Sequence, residues 1–172
     1  MPVSLYDVTI GSFLQGLGGA AVTLRRGAEH FCAPGEADAV VQESFWPDMK
    51  PMQFQIQSVA HHSLGAVEGV RRGEFSPSDP LPPQTYAGLQ AIVAEAEAAL
   101  QAVTREEVEG FMGKEVWFRA GERQLPFTAE DFLMSFSLPN FYFHAATAYD
   151  ILRWKGVPLG KRDYIGRLRM KA

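Results

Sequence analysis

Apolar positions recur at helical spacing along most of the chain, and the places where that rhythm stops mark the connections. From Ser4, a good N-cap residue type, Leu5, Val8, Phe13, Leu17, Ala20, Leu24 and Phe31 return at near-helical intervals. They predict a first helix to about Ala33. Gly16, Gly18 and Gly19 each lower its intrinsic helicity by roughly 1 kcal/mol relative to alanine; close approach of a neighbouring helix is the usual compensation. The stretch "CAPGEAD" ends it. A second helix is predicted from Pro51, because proline's missing N–H has no partner to lose in a first turn. Its apolar stripe is Met52, Ile56, Val59, Ser63, Ala66 and Val70, with His61 and His62 beside it and Gly73 as its stop.

The segment "SPSDPLPPQ" holds too many ring-locked φ angles for a helix and reads as a connector. A third helix is predicted over Tyr86 to Val103, with Leu89, Ile92, Val93, Ala96 and Leu100 on one face and Glu95 and Glu97 in solvent. In "KEVWFRAGERQLPFT" the period changes to two. Val116 and Phe118 alternate with Trp117 and Arg119, and Ala-Gly-Glu turns the chain back through Gln124 to Phe127, which predicts a short β-hairpin. Thr128 with Asp131 three positions on resembles a capping box for a fourth helix. Pro139 should kink or interrupt that helix. Four long helices, a long second-to-third connection and the hairpin predict an all-α four-helix bundle with one β embellishment. Trp46 and Trp117 are expected to cover its ends.

At 172 residues, with 47% hydrophobic and 21% charged positions, the chain fits one globular domain, residues 1–172. The net charge of −4 implies no general affinity for nucleic acid. Within that total, Lys161, Arg162, Arg167, Arg169 and Lys171 against Asp163 give the last twelve residues +4 and leave −8 for the remainder. Such a tail is expected to be solvated or docked on the protein's own surface, with an anion or partner site as the alternative. Cys32 stands alone, which excludes an internal disulfide, fits a reducing compartment, and leaves no second thiol to activate it. Residues 8–24 carry no charge, yet four glycines and several hydroxyl and amide side chains make them too weakly hydrophobic for a membrane span. No basic segment of a secretory signal precedes them. The expected setting is cytoplasmic, with no membrane contact.

Candidate chemistry concentrates in "SLPNFYFHAATAYDILRWKG". Asn140, His144, Thr147 and Ile151 share one helical face at i, i+4, i+7 and i+11, and Phe132, Phe136, Phe143 and Trp154 make its surroundings apolar. Phe136, Phe143 and Thr147 are therefore candidate pocket residues. Facing helices of a bundle can build a metal site in its core. His61, or His62 in its place, would supply the opposite side; Zn²⁺ or Ni²⁺ accepts imidazole well and an Asn carbonyl more weakly. The alternative is a buried His144 whose hydrogen-bond partner is Asn140, with no metal. Adjacent histidines point about 100° apart, so at most one of His61 and His62 faces the core squarely. Asp150 and Arg153 read as an ion pair, and Tyr142 and Tyr149 as packing aromatics with polar tips.

The stretch "LPNFYFHAATAYDILRWKGVPLGKRDYIG", with "DMKPMQFQIQ" and the hairpin leading into "LPFTAEDFL", resembles a bacterial family labelled as a domain of unknown function, number 1993. That family looks like a branch of the DinB/YfiT-like superfamily, and the resemblance covers essentially the whole chain. It implies a DinB-like four-helix bundle, up-down-down-up with a long crossover, and often a homodimer. Better-known branches are metal-dependent, some of them enzymes that use low-molecular-weight thiols as cosubstrates. Their three histidine ligands comprise one on the second helix and an HxxxH pair on the fourth. Carried over, these positions fall on His61 (His62 as neighbour), on Asn140 where the first histidine of the pair would stand, and on His144. The carboxamide at Asn140 removes a strong ligand. The resemblance thus implies a degenerate metal pocket in a dimeric small-molecule-binding protein. Its alternative is a divalent-metal-dependent enzyme of the thiol-transferase type, with Zn²⁺ or Ni²⁺ held by His61, His144 and Asn140.

Overall fold

A computed structural model describes residues 3–171. The Ser4 side chain accepts a hydrogen bond from the Asp7 amide and starts α1, Leu5–Val8. Helix α2, Ile10–His30, follows after a break at Thr9, whose hydroxyl donates to the Leu5 carbonyl at 2.6 Å. A hydroxyl that bonds back along the helix competes with the backbone ladder, so the first predicted helix is two pieces. After α3, Glu36–Val40, the second rod runs as α4, Met52–Ala60, a π-helical segment His61–Gly65, and α5, Ala66–Arg72. Gly73, at φ +74, ends it in a left-handed conformation that favours glycine.

Strand β1, Glu74–Phe75, comes next, then the connector, then α6, Tyr86–Gln101, with the Thr85 hydroxyl accepting from the Gly88 amide as its cap. Helix α7, Arg105–Glu109, leads to β2, Glu115–Ala120, and β3, Arg123–Thr128. These two strands are antiparallel, in register from Glu115 opposite Thr128 to Ala120 opposite Arg123. Thr128 caps α8, Ala129–Asp131, which passes through a π-helical segment Phe132–Ser137 into α9, Leu138–Trp154. Pro139 thus lies in the first turn of α9, directly after the irregular segment, where its missing N–H costs least. Helix α10, Lys161–Ile165, is the last element.

Helix α2 packs on α6 and α9, and α4 packs on α6 and α9, so the four rods touch in a ring. Phe13, Leu17, Leu24, Ile56, Leu89, Leu100, Phe132 and Phe141 fill its interior. The architecture is mostly helical, but the expectation of an all-α chain with a lone hairpin needs correction. β1 runs parallel to β2, with Glu74 opposite Trp117 and Phe75 opposite Phe118, and completes a sheet of order β1-β2-β3. Two residues are too few to show an alternating pattern, which hides β1 from periodicity.

Two glycines of α2 are approached closely by the chain itself, Gly19 by its C-terminal segment and Gly16 by α9. A Cβ at Gly19 would strike the Tyr164 carbonyl, and one at Gly16 the Phe141 ring. Arg26 pairs with Asp163 at 2.9 Å, Gln15 donates to the Ile165 carbonyl at 3.2 Å, and Arg169 donates to the Asp7 carbonyl at 2.7 Å. The basic tail is docked, and it uses its single acid to do so. Arg153 donates to the Leu159 carbonyl at 2.5 Å instead of pairing with Asp150. Trp46, expected to cover an end of the bundle, is 66% exposed.

Candidate functional site

The second and fourth rods each contain a π-helical segment, and the two segments lie beside the same cavity. His61 and His62 open the first, and Phe136 lies in the second. A π-turn takes one more residue than an α-turn and shifts the faces that follow, which is why such segments recur at functional sites. His61, His62, Phe136, Asn140 and His144 all line one cavity of about 200 Å³. Phe54 and Ser58 of α4, Phe75 of β1 and Phe118 of β2 complete its wall, and Pro77 and Ser78 of the connector border it. The sequence-predicted cluster is therefore brought together, with both histidines of the HH pair present. Thr147 and Phe143 do not line this cavity. The Thr147 hydroxyl donates to the Phe143 carbonyl at 2.8 Å, and the Phe143 ring, 59% exposed, turns outward.

The histidine protons are set by their partners. Gln55 Nε2 donates to the Lys50 carbonyl at 2.8 Å, which orients the amide and turns Oε1 toward His144. His144 Nδ1 lies 2.7 Å from that oxygen and must donate to it. In a neutral imidazole the other nitrogen, Nε2, is then a bare acceptor. His61 Nε2 donates to the Ser76 carbonyl at 2.7 Å, so its proton is committed to the connector. His62 packs beside both, with ring centroids 5.6 Å from His61 and 5.8 Å from His144. Its Nδ1 is buried and has no hydrogen-bond partner among the described residues. Asn140 does not serve His144: its Nδ2 donates to the Phe136 carbonyl at 2.8 Å.

Burial holds all three imidazoles neutral at pH 7. It lowers His144 to about 4, and it lowers His62 to about 3 with help from the neighbouring His61 and His144. His61 is lowered for the same reason, partly countered by its bond to Ser76.

Sequence reasoning missed Gln55, the residue that orients His144. A signal existed in "MQFQIQ", where Gln53, Gln55 and Gln57 alternate through the start of an otherwise apolar helix and all three are buried. Gln53 donates to the Leu81 and Pro82 carbonyls and accepts from the Gln84 amide; Gln57 donates to the Asp79 carbonyl. Gln53, Gln57 and His61 stand four residues apart and pin the connector turn by turn.

A three-imidazole metal site does not fit these residues. His61 donates its Nε2 proton to Ser76, so its one lone pair is on Nδ1, and that nitrogen lies against Gly65 of its own helix. No group of three His, Cys, Asp or Glu side chains among the described residues could hold a metal ion.

A family model described as "Domain of unknown function (DUF1993)" matches residues 5–165. A solved structure of a DinB family member protein from Shewanella denitrificans is similar at a TM-score of 0.76 and 24% identity. The match spans 98% of this chain and 95% of that one, and at this identity it speaks for the fold alone. No curated protein matches. No helix among the described residues is long and apolar enough to cross a membrane.

Proposed function

The chain belongs to the DUF1993 family, and on that premise we propose that it binds a small organic molecule directly in a degenerate metal pocket, with no bridging ion. One observation carries this reading: His61, in the position the superfamily resemblance assigns to a ligand, gives its Nε2 proton to the Ser76 carbonyl at 2.7 Å and holds its remaining lone pair, on Nδ1, against Gly65. A cavity of about 200 Å³ remains, walled by phenyl rings and neutral imidazoles. The same reading arranges the four rods up-down-down-up with the connector as crossover, and pairs two copies of the chain into a homodimer. The lone exposed Cys32 supports a reducing, cytoplasmic setting.

The test is metal analysis of protein purified without a histidine tag, followed by calorimetric titration with Zn²⁺ and Ni²⁺. The expected content is well below one ion per chain and unchanged in His144→Ala. One equivalent of metal that disappears in that variant would overturn the reading.

A second reading, a divalent-metal-dependent enzyme, has one observation in its favour. His144 hands its Nδ1 proton to Gln55, the outer hydrogen bond that metal-bound histidines commonly make. His62 and Asn140 would then have to complete the ligand set, and stoichiometric metal in the same titration would select this alternative.

A further inference from the structure

The lining of the histidine cavity narrows the class of ligand, given the reading of it as a direct binding site. Among the described residues no Asp, Glu, Lys or Arg lines it, so an ion entering it would lose hydration with no opposite charge to replace it. Its wall is uncharged and mixed: Phe54, Phe75, Phe118 and Phe136 contribute rings that favour offset or edge contacts with another ring, beside Ser58, Ser78, Asn140 and the three histidines. Its volume of about 200 Å³ compares with roughly 150 Å³ for an engineered apolar cavity that takes benzene. The space suits one substituted ring or a compact fused pair.

Among its polar groups, His144 offers an acceptor of fixed direction. The Gln55 amide is oriented by the Lys50 carbonyl, so His144 donates through Nδ1 and presents Nε2 as an acceptor. No protein group among the described residues donates to that nitrogen, and it is not one of the sealed, unpartnered atoms. A ligand that supplied one O–H or N–H donor would satisfy it; a purely apolar ligand would leave it desolvated and unpaired.

We propose that the cavity binds an uncharged phenol-class aromatic, a single ring or fused pair carrying one O–H or N–H donor, which hydrogen-bonds to His144 Nε2 while its ring packs among the four phenylalanines. Recognition is by shape and one donor, and ionised aromatics are excluded.

The experiment titrates the untagged full-length chain at pH 7.5 with p-cresol, toluene and benzoate, following histidine and phenylalanine ring resonances by NMR. Saturable shifts with p-cresol are expected, with toluene about tenfold weaker for want of the hydrogen bond and benzoate without effect. In His144→Phe the preference for p-cresol over toluene should fall to within about twofold. The wild-type comparison of the three ligands stands even if that variant fails to fold. Equal binding of p-cresol and toluene, or tighter binding of benzoate, would overturn the donor-recognition proposal while leaving direct binding in place. No saturable shift with any of the three would remove the direct-binding reading beneath it.

Discussion

His144 shows how much a single side chain's neighbours decide. Its place on the cavity face followed from the four-residue step to Asn140, but its partner did not. Gln55 lies 89 residues away in sequence, and no local pattern announces that contact. The His61, His62, Asn140 and His144 grouping was legible because helix periodicity and the family resemblance pointed to one region. Proton positions were not legible, because they depend on the Lys50 and Ser76 carbonyls. Burial also couples these residues to pH. His62 and His144 titrate near 3 and 4 in the fold but near 6.5 when unfolded. The unfolded chain therefore takes up protons first as pH falls, and the folded state is progressively disfavoured from about pH 6.5 downward. Thermal melts should be flat in this respect above pH 7 and decline toward pH 5. His62→Phe removes one titrating group and a buried, unpartnered Nδ1, so its melts should decline less steeply. A variant as acid-sensitive as the parent would show that His62 does not contribute.

Among the elements, α2 is where sequence and structure are most instructive to compare. Caps and a 3.6-residue rhythm made the long helices readable, as Ser4, Gly73 and Thr128 all show. The π-helical segments and β1 left no periodic trace, since each is only a turn or a residue pair long. Gly16 and Gly19 of α2 were readable as close-approach positions: the Phe141 ring of α9 meets the first and the Tyr164 backbone of α10 the second, while Gly18 stays open. The two central glycines should therefore respond in opposite directions. A Cβ at Gly18 meets nothing within 4 Å, whereas one at Gly19 meets the Tyr164 backbone. Gly18→Ala should stabilise by about 0.5–1 kcal/mol through helix propensity. Gly19→Ala should destabilise by about 1–3 kcal/mol, as overpacking does. Urea unfolding of the two variants checks both signs, and equal effects would contradict the docking of the tail on α2.

For the whole molecule, family membership and the mostly helical architecture agree with what the sequence implied, and the three-stranded sheet is the addition. For the proposed homodimer, the exposed aromatics offer a candidate surface. Phe45 and Trp154 form a ring pair 5.7 Å apart, 43% and 54% exposed, next to the still more exposed Trp46. Lys155 lies over the Trp154 ring and pairs with Glu43, so the patch carries both charge signs and can meet a copy of itself. Light scattering at micromolar concentration should give twice the mass of one chain, and Trp154→Lys should return it to one. A parent that is already monomeric would rule this pairing out.

The imidazole nitrogens themselves distinguish a neutral histidine pocket that takes its ligand without a metal from a metal site. Long-range ¹H–¹⁵N spectra at pH 7.5, recorded before and after one equivalent of Zn²⁺, report tautomer and coordination together. The expected result is a His144 protonated on Nδ1 and a His61 protonated on Nε2, both unmoved by Zn²⁺. Zinc-dependent shifts of the ring nitrogens of His144 with those of His61 or His62 would contradict it.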